Sequence, residues 1–242
     1  MDELIGRVAV VTGAARGVGR SVATRAAREG MCVVIADVNS GELHRLETRL
    51  RNHGAEVLAI PTDVSRADSV AGLVRRTLDV FGAVHLLCNM ASVRAGGLSW
   101  AATRTQWESV LNVNLWGAIY CIQEFVPLML AQATPGHIVN AASLEAFLPL
   151  SPSAPTQATD AAVVALTENL EHGLRWSGSA LHASVLCQGW AMESGWERSR
   201  ASEVAGAVFA GIRDNRLYIV PDSPFVDSVR QRFNAIAADL PR

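Results

Sequence analysis

A doubly wound parallel α/β sheet, with about seven strands and helices on both faces, is the fold class this sequence predicts. Three observations carry it. Short β-branched runs alternate with longer helical patterns along the whole chain. Several of the strand-like runs are continuously apolar, such as VAVV at residues 8–11 and CVVIA at 32–36, as expected of strands buried on both faces. A glycine-bearing turn joins the first strand directly to the first helix. Parallel strands need right-handed crossovers, and a doubly wound sheet is the simplest topology that satisfies them. The 242 residues fit one domain spanning 1–242, with no internal repeat, low-complexity tract or linker.

The strand-like segments are residues 8–11, 32–36, 56–60, 85–88, 137–140, 182–186 and 217–220. Helical patterns fall between them at 18–29, 41–53, 67–81, 105–130, 160–175 and 203–214. The stretch LPLSPSAP at 148–155 is rich in Pro and Ser and reads as a loop, too short to separate domains.

Half the residues are apolar and the net charge is −2, with arginines scattered rather than clustered. That balance argues against nucleic acid or an anionic membrane as partner. No apolar run approaches the ~20 residues of a membrane helix, and no leader pattern is visible. The four cysteines, Cys32, Cys88, Cys121 and Cys187, lie in apolar segments without metal-type spacing. They read as reduced core residues of a cytoplasmic protein. No His lies at ligand spacing, so no metal site is expected: His85 and His137 start strands, and His172 and His182 have no visible partner.

Residues 12–19 read TGAARGVG. Gly13 permits a sharp turn off the strand, Gly17 clears space for phosphates, and Gly19 lets the helix pack close to the sheet. The backbone N–H groups from Val18 onward and the positive end of the helix dipole then face the pyrophosphate of a dinucleotide. Asp37 ends the second strand about 20 residues on, where a carboxylate binds the ribose hydroxyls of NAD and repels the 2′-phosphate of NADP. Arg16 is the one residue of the turn suited to a 2′-phosphate. NAD is the expected cofactor, and NADP the less favoured one.

The spacing TGxxxGxG resembles the short-chain dehydrogenase/reductase family, a Rossmann-like group, and the resemblance runs through nearly the whole chain. Asp63 and Val64 resemble the family's adenine-contacting pair. LCNMAS at 87–92 resembles LVNNAG, with Asn89 and Ala91 kept. NVNLWG at 112–117 is similar to the helix bearing the catalytic Asn, which maps to Asn114. GHIVNAAS at 136–143 is similar to the strand ending at the catalytic Ser, which maps to Ser143.

The departures lie at the chemical end. The family's helix begins PYxxxK, and the matching segment here is PTQATD at 155–160. Tyr therefore maps to Thr156 and Lys to Asp160. All 21 basic residues are Arg, so the chain has no lysine, and its only tyrosines are Tyr120 and Tyr218. An aliphatic hydroxyl cannot replace a phenol as an acid or base near neutral pH, and losing such a group costs ~10²–10⁴ in rate. Asp160 is left with a hydrogen bond to the nicotinamide ribose as its simplest role. The family's PGxxxT turn, which holds the nicotinamide carboxamide, appears as QGWAME, with Gly189 kept and Glu193 in place of Thr. The segment between Glu193 and Ser202 is short, so the substrate cover looks trimmed.

Glu145, Asp160 and Glu193 all map near the nicotinamide end. They either act there, favouring the cationic ring, binding a cationic substrate or supplying a substitute base with Glu145 the best placed, or they are solvent-facing acids on open loops. Three functions follow from the resemblance. The first is an NAD-binding protein with standard catalysis lost or strongly impaired. The second is an active oxidoreductase on a small alcohol or ketone using Ser143, Asn114 and Glu145. The third is a lyase or isomerase on the same fold. The resemblance also implies a small-molecule substrate and a homodimer or homotetramer formed through the Asn114 helix, the Thr156 helix and the last strand.

Overall fold

The structure is a computed structural model that describes residues 3–189 and 198–239. Seven parallel strands form one sheet: β1 (Val8–Thr12), β2 (Cys32–Asp37), β3 (Val57–Pro61), β4 (Leu86–Asn89), β5 (Gly136–Ser143), β6 (Leu181–Gln188) and β7 (Tyr218–Ile219). Their spatial order is β3-β2-β1-β4-β5-β6-β7, so the chain reverses direction across the sheet between β1 and β4. The doubly wound class expected from the sequence is the one observed.

The alternation within each strand assigns the two cores. Ala9 and Val11 of β1, with Val33 and Ile35 of β2, face α1 (Gly17–Arg28), α2 (Ser40–Arg51) and α7 (Arg198–Arg213), where Val22, Leu46 and Phe209 meet them. Val8 and Val10, with Val34 and Ala36, face α3 (Ala67–Phe81) and α5 (Gly117–Ala131), where Leu73, Phe125 and Met129 meet them. Burying each such large apolar side chain contributes about 1.5–3 kcal/mol. A third cluster forms at the ends of β5 and β6, where Ala142, Leu144, Val163 and Cys187 pack against Leu150, Phe225 and Val229.

Four sequence expectations are corrected. The single helix expected over 105–130 is divided into α4 (Arg104–Val110), a π-helical segment Leu111–Trp116, and α5. A π segment admits one extra residue per turn, and here it carries the buried Asn114. The run Arg104–Ala131 is 28 residues long and passes by length and composition as a membrane-spanning helix, with a mean hydropathy of 1.3 over its most apolar window. The polar pair Gln123 and Glu124 interrupts the apolar run, while the window average stays high. One face of it, Cys121, Phe125 and Met129, lies in the core against the sheet.

The helix expected from residue 160 begins earlier, as α6 (Ala154–Trp176), because Pro155 occupies the first turn, where no backbone N–H is required. A C-terminal helix, α8 (Val226–Ala238), was not anticipated. It follows Phe225, whose contacts with Val229 and the third core are visible only in three dimensions.

All four cysteines are free; three are buried, and Cys32 is half-buried beside Glu56. Burial pushes the Cys121 and Cys187 thiols up to about 12. Two histidines have partners the sequence did not reveal. His182 Nδ1 lies 3.3 Å from Glu171. His137, fully buried, has Nε2 2.6 Å from Ser184 Oγ. The Ser184 hydroxyl donates to the Arg216 carbonyl at 2.6 Å, so it accepts from His137 and fixes the proton on Nε2. Nδ1 then has no partner, and burial lowers the imidazole pKa to about 3.

An unfolded histidine takes up its proton near pH 6.5, while folded His137 resists until about 3. Its contribution to stability is therefore complete above the unfolded value and is lost as pH falls. Urea unfolding at pH 7 and pH 5 is expected to give a smaller difference for His137→Asn than for the parent, by about 2 kcal/mol.

Candidate active site

The two halves of the site meet where β1 and β4 diverge. Thr12, the last residue of β1, accepts hydrogen bonds through Oγ1 from the N–H groups of Met90 (3.1 Å) and Ala91 (3.3 Å). Gly13 has φ +63°, and a Cβ there would lie 2.7 Å from the Ala91 backbone. At Gly19 a Cβ would fall 2.2 Å from the Gly13 carbonyl oxygen, so helix α1 rests on the turn itself. Gly17 differs: its φ is +55° and none of the described residues comes within 4 Å of where a Cβ would stand. That space opens over the first turn of α1, whose N-cap Arg16 makes no side-chain cap, leaving Val18 and its neighbours in the first turn without a capping side chain.

Asp37 closes one side of the turn. Its Oδ2 accepts from Ala15 N–H and its Oδ1 from Asn39 N–H, each at 3.0 Å. Asp63 organises the start of α3 by accepting from both the N–H and hydroxyl of Ser65 (3.0 and 2.6 Å), and Val64 packs closely on Gly117. At the end of β4, Asn89 donates from Nδ2 to Asn140 Oδ1 at 2.9 Å. Its own Oδ1 is buried and, among the described residues, has no partner, and the same holds for Gln188 Oε1 at the end of β6. These features fit a dinucleotide: a cradle without a side chain, an uncapped helix N-terminus, a carboxylate beside it, and orphaned acceptors at the strand ends. Gly13 lies against the backbone of Met90 and Ala91, the residues that follow Asn89. Gly189 lies against Ser223 Oγ, 2.8 Å from its would-be Cβ, and Glu193 lies outside the described residues.

The chemical end is built from β5, α6 and two loops. Ser143 ends β5, and its hydroxyl donates to Asp160 Oδ2 at 2.5 Å while accepting from Glu145 N–H at 3.1 Å. Asp160 is 7% exposed. Burial pushes its pKa up to about 6, the Ser143 hydrogen bond opposes this, Glu145 adds to it, and Arg94 opposes it. Asp160 thus stands beside Ser143, a contact the resemblance did not imply. Thr156 is also buried, and its hydroxyl is engaged with both the N–H (3.2 Å) and carbonyl (3.3 Å) of Ala95. Asn114 clamps the same connection: its Oδ1 accepts from Val93 N–H at 2.8 Å and its Nδ2 donates to Val93 O at 3.0 Å.

Glu145 is not a solvent-facing acid on an open loop. It is 1% exposed, with Arg94 at 3.0 Å and the hydroxyls of Ser151 (2.7 Å) and Ser153 (3.2 Å) on its two oxygens. The sequence reading missed Arg94, Ser151 and Ser153 because no local motif marks them. The partners lie about 50 residues away on one side, and on the other in a loop whose serines resembled simple turn formers.

The profile of the short chain dehydrogenase family matches residues 7–191. The chain is 33% identical over 253 aligned positions to a 1-deoxy-11-beta-hydroxypentalenate dehydrogenase of Streptomyces arenae, covering 97% of this chain and 89% of that one. Its fold matches a short chain dehydrogenase/reductase from Burkholderia phymatum in complex with NAD, with TM-score 0.92, 35% identity, and coverage of 100% of this chain and 98% of that one. It also matches a metagenomic short-chain oxidoreductase in complex with NADP, with TM-score 0.80, 25% identity, and coverage of 92% and 100%.

Two outcomes follow from the buried charges. Arg94→Ala removes the counter-charge from the buried Glu145 carboxyl, and is expected to cost about 3–5 kcal/mol in urea unfolding at pH 7, well above Glu145→Gln. For Asp160 the folded pKa is above the unfolded one, so stability is full at low pH and is lost as pH rises from about 4 through 6. Asp160→Asn is therefore expected to be more stable than the parent at pH 7.5, by about 3 kcal/mol, and within about 0.5 kcal/mol of it at pH 4.

Proposed function

Since the chain belongs to the short-chain dehydrogenase family, we propose that it binds NAD(H) at the glycine turn while the family's usual Tyr/Lys hydride-transfer device is lost or strongly impaired. The observation that carries this reading is the Ser143–Asp160 hydrogen bond of 2.5 Å. At the position where the family pattern has an ammonium, this chain has a carboxylate, and it has no lysine elsewhere to substitute. The second missing group, at Thr156, is an aliphatic hydroxyl already engaged with Ala95.

Gly13, Arg16, Gly17, Val18 and Gly19 hold the pyrophosphate in this reading. Asp37 faces the adenosine ribose and favours NAD over NADP by charge repulsion. Asp63 and Val64 flank the adenine, and Asn89, Ala91 and Gly189 line the far end, together with Glu193. NAD(H) held by these residues would supply a hydride acceptor or donor for the carbon of an alcohol or carbonyl. The protein's part in that chemistry is to orient the ring and move a proton, and here the phenol for the second task is absent.

A second reading, slow turnover on a small alcohol or ketone with Ser143, Asn114 and Glu145, draws some support from the raised pKa of Asp160 beside Ser143. Glu145 supports it less, since both its oxygens are taken. We further propose a homodimer or homotetramer. Trp116 and Leu130 on the Asn114 helix are each at least 40% exposed, and Tyr120 stacks on Trp116 with ring centroids 5.6 Å apart.

Calorimetry is expected to find NAD bound more tightly than NADP, with Asp37→Ala narrowing the difference. In an alcohol and ketone panel the parent is expected to be inactive or feeble. Thr156→Tyr/Asp160→Lys is expected to gain ~10²-fold or more in hydride transfer. Parent turnover that Ser143→Ala abolishes overturns the impaired reading in favour of the second. Absence of binding by either dinucleotide overturns both.

A further inference from the structure

We propose that Asp160 makes the dinucleotide site selective for redox state, holding the oxidised, cationic nicotinamide in preference to the reduced, neutral one. This rests on the dinucleotide reading above. Ligands of doubly wound sheets lie in the crevice at the carboxyl ends of the strands. In this sheet that crevice is bordered by Asn89, Ser143 and Gln188, the last residues of β4, β5 and β6. Asp160 is the carboxylate behind Ser143.

The charges around Asp160 reduce to its own. From the turn Leu144–Ala146, Glu145 faces it, and from the β4–α4 connection, Arg94 does; these two lie 3.0 Å apart and offset each other. From β6, Cys187 is the nearest titratable group, and burial pushes its thiol up to about 12, so it is neutral. On α4, Arg104 and Glu108 pair with each other at 2.6 Å. The π-helical segment contributes Asn114, and α6 itself contributes Thr156 and Thr159, all uncharged. Glu168 is a second carboxyl, bonded to the Tyr218 hydroxyl and set eight residues further along α6, about 12 Å up the helix axis. Apart from that distant group, Asp160 is the one acid of this set without a counter-charge among the described residues, poorly solvated, at the chemical end of the site.

A buried charge has its strongest effect on a neighbouring ion because little water screens it. The oxidised ring is a cation and relieves the cost of ionising Asp160, whereas the reduced ring is neutral and does not. The link is reciprocal: a ring that favours ionised Asp160 is itself bound more tightly once Asp160 is ionised. Burial holds Asp160 near 6, so the effect switches within an accessible pH range. Above that value Asp160 is charged and the oxidised form is favoured; below it the preference fades.

The test is calorimetric titration of the full chain with NAD⁺ and NADH from pH 4.5 to 8, needing no substrate. The expected affinity ratio favours NAD⁺ about tenfold more at pH 8 than at pH 4.5, which equals one unit of pKa shift in Asp160. In Asp160→Asn the ratio is expected to be flat across pH. Ser143→Ala removes a hydrogen bond that favours ionisation and is expected to move the midpoint to higher pH. A carboxyl infrared band titrating near the same pH, absent from Asp160→Asn and displaced by NAD⁺ but not by NADH, is the independent readout. A pH-independent ratio in the parent, or a pH-dependent ratio retained by Asp160→Asn, overturns the inference. Should Asp160→Asn not fold, an unmoved midpoint in Ser143→Ala overturns it. Failure of both forms to bind overturns the dinucleotide reading, and this inference with it, whereas binding of both with a flat ratio overturns only this inference.

Discussion

A carboxylate placed where water cannot easily reach it sets the terms for the rest of this site. Asp160 sits on one face of α6, against the end of β5, and ionising it is costly. The Ser143 hydroxyl offsets part of that cost by donating to it. Arg94 acts in the same direction, but its guanidinium is bound to Glu145. Two loops, one after β4 and one after β5, are thereby tied to each other by charge rather than by apolar contact. Thr156 and Asn114 complete the tie by holding Ala95 and Val93. The result is a polar, buried and largely satisfied cluster, which holds geometry well and tolerates the loss of single partners poorly.

The sheet supplies the frame for that cluster. Reversal of strand order between β1 and β4 leaves a crevice at their carboxyl ends, which the helices on the two faces cannot fill. The turn after β1 takes the phosphate-facing end of the crevice because its glycines allow backbone to lie against backbone. Ser143 and Asp160 occupy the other end because β5 runs several residues past β4 before it stops. Binding and chemistry are thus carried by different elements. Changes at Thr156 and Asp160 leave the glycine turn untouched, and the same fold can keep a ligand while altering what is done with it.

Much of the fold was legible because burial imposes a pattern on neighbouring residues. Runs such as VAVV and CVVIA can only be two-sided buried strands, and each was found within a residue of its expected limits. The misplacements share a different cause. The π-helical segment depends on where Asn114 must point, and the start of α6 on what Ser153 and Pro155 meet across the loop. Helix α8 is held by Phe225 and Val229 against the third core and by Phe233 against Phe147, 86 positions earlier, so its own segment carried little signal.

The sequence by itself determined the strand and helix order, the glycine turn with Asp37 at the next strand end, and the absence of lysine. These are statements about composition and about neighbours along the chain, which local sterics and periodicity make readable. Only the tertiary structure decided what the acids do. Glu145 and Asp160 look alike in sequence, two carboxylates near Ser143. Folding places Arg94, Ser151 and Ser153 directly on the first, and on the second Ser143, with Arg94 acting only by its charge. The charge of a buried group depends on the solvent it has lost and the partners it has gained. Both are set by residues distant in the chain, which no local pattern encodes.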